Sequence, residues 1–362
     1  VPVAISCTSS TATCNYLPAI TEAFYQGIPL IVLTGDRPPY YLGQMENQMI
    51  QQVGMYKDVC KKSVNLPMVN TDEDFWYCER LVNEALLELN HNGIGPIHIN
   101  IPVSNASKSL TAKVLPAVRE IRRIELGDNI LWELKKNELN HYNKILVICG
   151  QYVPRAEEEI VLLDTFSRKY NCVVAVEHMS NISCYNALNL CLVSEVLSYE
   201  EFSKLKPDLV ISFGGNITSA LMGLLRNNHS EVHHWLISQK GEIIDAFKCL
   251  TDIFECSLPH FLKYFIQQAK SYPSVDTYML PSQEMLSKYM AISAYYGQMS
   301  IAVANRILEM DFMAVFKSEV VYCIRQGLIE INGDKLTITR KGFEYYGAVF
   351  SLFFDTIKCG TL

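Results

Sequence analysis

Arg37, Asn47 and Gln48 stand close together in the stretch LTGDRPPYYLGQMENQMIQQ (33–52), and their types suit recognition of a small, charged, hydrogen-bonding molecule. A planar guanidinium grips a carboxylate through two parallel hydrogen bonds, and a side-chain amide donates and accepts without changing charge. The stretch leaves the apolar run IPLIVL (28–33), which is short, β-branched and uncharged, the pattern of a strand buried on both faces of a parallel sheet. Ligands of open α/β sheets bind beyond the carboxyl ends of the strands, where these residues would fall. The competing reading is a solvated loop whose prolines stop the strand.

For those side chains to meet a ligand, a sheet must stand behind them. Residues 1–102 alternate strand and helix signals: VPVAIS, a helix over about 15–26, IPLIVLTG, a helix over 75–89, and GPIHINIP. That order predicts a βαβ series and a mostly parallel sheet. Residues 103–142 read as a linker with an amphipathic helical stretch, and a second α/β unit begins at Asn143 with KILVICG, a helix over 154–170 and CVVAVE. The segment 208–227 repeats strand, glycine turn and helix. Neither GQYVPR nor GGNITS supplies GxGxxG, so their glycines are read as permitting tight turns.

After KSYPSVDTYMLPSQ (270–283) the character changes. Helical periodicity over 284–296 and 312–326 is followed by GLIEINGDKLTIT, where Asn332-Gly333-Asp334 between alternating runs signals a hairpin. The aromatic-rich RKGFEYYGAVFSLFF is expected to close the chain as a helix, with Phe343, Tyr346, Phe350 and Phe353 on one stripe. Helices followed by a hairpin describe a winged helix. The expected fold class is therefore α/β: two parallel-sheet α/β domains, the central one Rossmann-like, then a small winged-helix domain. The boundaries are 1–112, a linker over 113–142, a central domain over 143–270 and the small domain over 283–362.

The 362 residues are 49% hydrophobic and 19% charged with a net charge of −7, which fits a globular protein and gives no broad basic field for nucleic acid or an anionic membrane. In the tail, eight basic and eight acidic residues cancel, which argues against DNA binding. Twelve cysteines occur without CxxC or zinc-finger spacing and are read as reduced core thiols of a cytoplasmic protein. No apolar run approaches a membrane span, and no charged-then-apolar leader precedes the first strand. His229, His233 and His234 could suggest a metal, but EVHHWLI looks like a strand that points His233 and His234 to opposite faces, so packing or surface roles are preferred.

The segment 8–52 resembles the pyrimidine-binding domain of thiamine-diphosphate enzymes, most closely the 2-succinyl-5-enolpyruvyl-6-hydroxy-3-cyclohexene-1-carboxylate (SEPHCHC) synthase family of menaquinone biosynthesis (MenD). Its TSGTA..N, LTADRPP and GxxQTIxQ stretches match TSSTATCN, LTGDRPP and ENQMIQQ. GPIHINIP fits the end of that domain, and PDLVISFGGNITS and EVHHWLISQKGEIIDAF match the central domain. The resemblance implies that Arg37 faces a substrate carboxylate, that Asn47 lies beside the substrate and Gln48 beside the thiamine pyrimidine, and that Asn15 sits at the turn near the pyrimidine. It implies thiamine diphosphate and Mg²⁺ as cofactors, a 2-oxo acid and isochorismate as small-molecule partners, and a homo-oligomer.

Departures accompany the likeness. Ser10 replaces the usual Gly of the turn. The family's ylid-forming glutamate lies upstream of the turn; VPVAIS opens inside a strand, and neither Glu22 nor Glu46 is its equivalent. The GDG motif that holds Mg²⁺ and diphosphate is absent, so no residue is assigned a catalytic or metal-binding role. In its place, residues 283–362 look like the winged-helix tail of oxygen-independent coproporphyrinogen dehydrogenase-type radical SAM proteins, without the CxxxCxxC motif. Two such pieces in one chain imply a gene fusion, a truncated gene or an assembly artefact. The expectation is a synthase fragment, inactive alone, that joins a 2-oxoglutarate-derived carbanion to isochorismate. The alternatives are a non-catalytic binding or assembly module, or a related 2-oxo-acid lyase or carboligase.

Overall fold

A computed structural model describes residues 1–104, 113–184, 186–268 and 297–344, with Leu286, Tyr289, Met290, Ser293, Val349, Leu352 and Phe353. Residues 270–283, most of 284–296, and Tyr345, Tyr346, Phe350 and Phe354 lie outside the described residues. The chain divides into two compact units, one of Val1–Leu134 with His233–Ser257, the other of Lys135–Val232 with Leu258–Leu362.

In the first unit, β1 (Val3–Cys7), β2 (Leu30–Asp36), β3 (Lys62–Asn65) and β4 (Ile97–Pro102) form a parallel sheet in the order β1-β2-β4-β3. Between β1 and β2 come α1 (Thr11–Cys14) and α2 (Leu17–Gln26); α2 ends at Gly27, whose φ of 65° supplies the left-handed cap that turns the chain into β2. Helix α3 (Asp72–Glu88) starts on a capping box, Thr71 Oγ1 accepting from the Asp74 amide at 3.1 Å and the Asp74 carboxylate from the Thr71 amide at 3.0 Å.

The strand expected over 28–33 begins two residues later, and only Val32 and Thr34 of β2 are buried. It is not buried on both faces, because its neighbour β1 is a largely exposed edge strand. The pleat explains the rest. Ile31, Leu33, Ile97, Ile99 and Ile101 point to the face where Leu81, Ala85 and Leu89 pack; Val32 turns to the other face, with Ile20 and Tyr56.

Residues 113–142, expected as a linker, carry β5 (Arg122–Glu125) and α4 (Asn129–Leu139). Strand β5 pairs in parallel with β11 (Leu250–Glu255), which pairs with β10 (His233–Ile237). Its RRIE sequence gives no strand signal, and only Ile124 is buried. His233 is exposed and His234 buried against Phe247 at 4.8 Å, as strand alternation requires.

In the second unit, β6 (Ile145–Cys149), β7 (Val173–Val176), β8 (Ala187–Asn189) and β9 (Leu209–Phe213) are parallel in the order β9-β6-β7-β8. Helix α5 (Glu157–Lys169) follows β6, and α6 (Leu190–Val196), α7 (Tyr199–Leu205), α8 (Leu221–Asn227) and α9 (Leu258–Gln268) follow along the chain. The tail holds an antiparallel sheet, β12 (Gln298–Ser300) and the hairpin β13 (Ile329–Asn332) with β14 (Lys335–Ile338), turned through Gly333 at φ 58°. The helical stretch 312–326 is split into α11 (Phe312–Val315) and α12 (Lys317–Arg325), after α10 (Ile301–Leu308). Phe312, Phe316 and Phe353 are buried together, with Phe353 stacked 6.0 Å from Phe312, while Phe343 of the expected stripe is half exposed. The architecture is thus α/β on parallel sheets.

Candidate functional site

The first unit gathers polar side chains at the carboxyl ends of its strands. Register sets Thr34, Asn100 and Asn65 side by side across β2, β4 and β3, and Val32, His98 and Ser63 one row behind. Because His98 and Asn100 are two apart in a strand, both point to the same face. Thr34, His98 and Asn100 are almost completely buried, as is Gln52 of the loop after β2.

Each hydrogen-bonding group of Asn100 is used. Its Nδ2 donates to Asp36 Oδ2 and Asn65 Oδ1, both at 2.8 Å, and its Oδ1 accepts from Thr34 Oγ1 and Gln52 Nε2, both at 2.8 Å. Gln52 Nε2 also donates to the Gly35 carbonyl at 2.8 Å, and Gln52 Oε1 accepts from the Ser10 amide at 3.0 Å. The single Thr34 hydroxyl proton goes to Asn100, so at Thr34 Oγ1···His98 Nε2 (2.8 Å) the imidazole donates. His98 Nδ1 then accepts from Ser63 Oγ at 2.9 Å. Burial pushes the His98 pKa down to about 4, which keeps this ring neutral.

The network holds two loops. The turn 8–14 enters through the Ser10 amide, and Ser10 has φ 67° and ψ −126°, a backbone region that glycine adopts freely and other residues rarely. The turn therefore keeps glycine-type geometry although a serine stands there. Ser9 Oγ donates to the Gln48 carbonyl at 2.8 Å, and Gln48 itself has a left-handed φ of 49°. Tyr56 donates its hydroxyl to the Thr13 carbonyl, and its ring meets His98 edge-on at 4.7 Å.

Above this layer, Arg37 is half-buried, and its Nη2 donates to Asn47 Oδ1 at 3.3 Å. Its amide donates to Asp36 Oδ1 at 2.8 Å. Asn47 and Gln48 are exposed. The structure brings Arg37 and Asn47 together and ties the Gln48 backbone to the turn. Asn15 is exposed at the end of α1, and no described hydrogen bond joins its side chain to the other three. Glu22 lies within α2 and accepts from Gln26. The sequence reading missed Thr34, Gln52, His98 and Asn100, although the alternation of IHINI in an otherwise apolar strand carried the signal.

The carboxyl edge of the central sheet is closed by its own backbone. Gly215 donates to the Gln151 carbonyl at 2.7 Å and Gln151 to the Asn216 carbonyl at 2.8 Å. A Cβ on Gly150 would stand 2.3 Å from the Gly215 oxygen, and Gly214 has φ 87°, so these glycines serve close approach of two turns. The Glu177 carboxylate beside them accepts from the Thr218 and Ser219 amides at 2.8–2.9 Å and from Thr218 Oγ1 at 2.7 Å. Burial opposes its charge and these hydrogen bonds outweigh it, holding its pKa below the usual carboxylate value. Among the described residues no group of three His, Cys, Asp or Glu side chains could hold a metal ion, the described cysteines are free thiols, and no described helix is long and apolar enough to cross a membrane.

The chain is similar to curated synthases of one kind. The SEPHCHC synthase of Bacteroides fragilis is 40% identical over 274 residues, which is 72% of this chain and 48% of that protein. Its namesake from Bacteroides thetaiotaomicron is 38% identical over 274 residues, with the same coverage. The one from Desulfotalea psychrophila is 28% identical over 352 residues, 92% of this chain and 64% of that protein. The chain spans about half the length of the Bacteroides relatives it matches. No family model matches it.

Proposed function

From a homology that supports membership of the SEPHCHC synthase family, we propose that this chain supplies the pyrimidine and substrate side of a thiamine-diphosphate-dependent synthase joining a 2-oxoglutarate-derived carbanion to isochorismate. The observation that carries the reading is Arg37: a half-buried residue just past the carboxyl end of β2, whose guanidinium is hydrogen-bonded to the neutral amide of Asn47 beside Gln48. Arg37 grips a substrate carboxylate, Asn47 orients it, and Gln48 and Asn15 meet the thiamine pyrimidine. Bound thiamine diphosphate would supply the carbanion-stabilising chemistry. The amides and the guanidinium suit a pyrimidine and a carboxylate. For Mg²⁺ and the diphosphate no described cluster is suited, and the sequence has no GDG, so no step is assigned to them here.

In this reading residues 1–112 form the pyrimidine-binding domain, 143–270 the central domain and 283–362 a winged helix, in a cytoplasmic homo-oligomer. The helix-helix-hairpin order of the tail supports its part of the assignment. Calorimetric titration of 2-oxoglutarate into the chain tests the site. Arg37→Ala is expected to weaken binding by roughly ten- to a hundredfold, the worth of one charged hydrogen-bond pair. Equal affinity in the two proteins would refute it. The 362-residue chain alone is expected to show no 2-oxoglutarate decarboxylation above a cofactor-only blank.

A further inference from the structure

Arg37 has an acidic neighbour that its guanidinium does not pair with. Asp36 precedes it directly, yet no described ion pair includes Arg37, and its guanidinium meets Asn47 instead. Both Asp36 carboxylate oxygens are engaged elsewhere: Oδ1 accepts from the Arg37 amide and Oδ2 from Asn100 Nδ2, each at 2.8 Å. Asn100 is buried and cannot swing away, because Thr34, Gln52 and Asn65 use its remaining hydrogen-bonding capacity. The carboxylate is thereby pinned toward the sheet.

We propose that Asn100 is a positioning residue that keeps the Arg37 guanidinium available to an incoming carboxylate by holding Asp36 away from it. A freed Asp36 carboxylate, on the residue next to Arg37, would compete with an external one for the guanidinium, since adjacent opposite charges attract wherever rotation lets them meet. A neutral amide suits the holding role. It donates to Asp36 without adding charge, whereas a basic residue would neutralise Asp36 and add a second cation to the site. The inference rests on the reading of Arg37 as a carboxylate ligand, and its test has an arm that does not.

Two readouts on the full chain decide the matter. The first is phenylglyoxal labelling of Arg37 in the free protein, mapped by mass spectrometry. Asn100→Ala is expected to slow labelling several-fold as Asp36 pairs with the guanidinium, and Asn100→Ala/Asp36→Asn to restore it. The second is 2-oxoglutarate affinity, expected to fall about tenfold in Asn100→Ala and to recover in the double variant, the span of one charge-assisted contact. A double variant as impaired as the single one would reduce Asn100 to a structural residue and overturn the proposal. Asp36→Asn alone, which leaves Asn100 in place, should bind at least as tightly as the parent; a tenfold loss would equally overturn it. Should the parent chain take up no 2-oxoglutarate, the functional reading fails, while the labelling arm still decides the role of Asn100.

Discussion

Replacing Ser10 with glycine should stabilise the first unit. The φ of 67° and ψ of −126° at Ser10 place a residue with a Cβ where essentially only glycine sits without strain, which costs on the order of 1–3 kcal/mol. Against this, glycine surrenders about 0.5–1 kcal/mol of backbone entropy on folding. The net expectation is a gain of roughly 1 kcal/mol, within about 0–2.5. No backbone hydrogen bond is lost, since the contact to Gln52 Oε1 comes from the residue 10 amide. For a unit of this size that gain raises the melting temperature by about 2–4 °C. Ser10→Ala separates the causes, because it removes the hydroxyl and keeps the Cβ. Thermal unfolding followed by circular dichroism should rank glycine above the parent and alanine at or below it. Glycine and alanine melting together, or glycine melting below serine, would show that the strain argument is wrong.

Acid should weaken the same unit. The buried His98 and His234 both have pKa values depressed to about 4, so between the ordinary histidine value near 6.5 and that point the unfolded chain binds protons that the folded chain refuses. Stability is then fully present above about pH 6.5 and falls toward pH 4 by up to about 1.4 kcal/mol per pH unit for each ring. Denaturation midpoints across that range check this, and His98→Gln should flatten the slope. In the second unit, Gly150→Ala should cost about 1–3 kcal/mol or more through its clash with the Gly215 oxygen, whereas Gly223→Ala, in α8 with nothing within 4 Å, should gain about 0.5–1 kcal/mol; paired melting curves give the comparison. The proposed homo-oligomeric reading implies self-association, and Val3, Tyr25, Tyr40 and Met45 of the first unit leave apolar surface exposed, so sedimentation over a concentration range should show it, and a strictly monomeric species would remove that expectation.

What the sequence made legible was local. Strands β1, β2 and β4 could be read because each is a short apolar run bounded by turn residues, and most of α3 from its periodicity, although its capped first turn was missed; β3, whose KSVN holds a single apolar residue, was not read. Strand β5 could not be read, because RRIE has one apolar residue and becomes a strand only by pairing with β11, far along the chain. The glycines of GQYVPR and GGNITS could be recognised as turn formers from their context; that the two turns face each other, Gly150 against Gly215, is a tertiary fact.

The candidate site divides along the same line. Arg37, Asn47 and Gln48 were visible because their types stand out after a strand that ends in Pro-Pro, and Arg37 does meet Asn47. The residues beneath them lie in apolar surroundings, where a polar side chain is easily passed over as tolerated. Yet a buried amide or imidazole without partners would destabilise the fold, so His98 and Asn100 on one face of IHINI already demand partners. Which partners could not be derived locally: Thr34 and Asp36 lie 64 residues from theirs, and Gln52 is 48 from Asn100. Polar residues alternating with isoleucine in a buried strand therefore specify that a network exists, and only the register of β2, β3 and β4 specifies its members. In this chain that register sets Asn100 beside Thr34, one row behind Asp36, from where its Nδ2 reaches the Asp36 carboxylate at 2.8 Å.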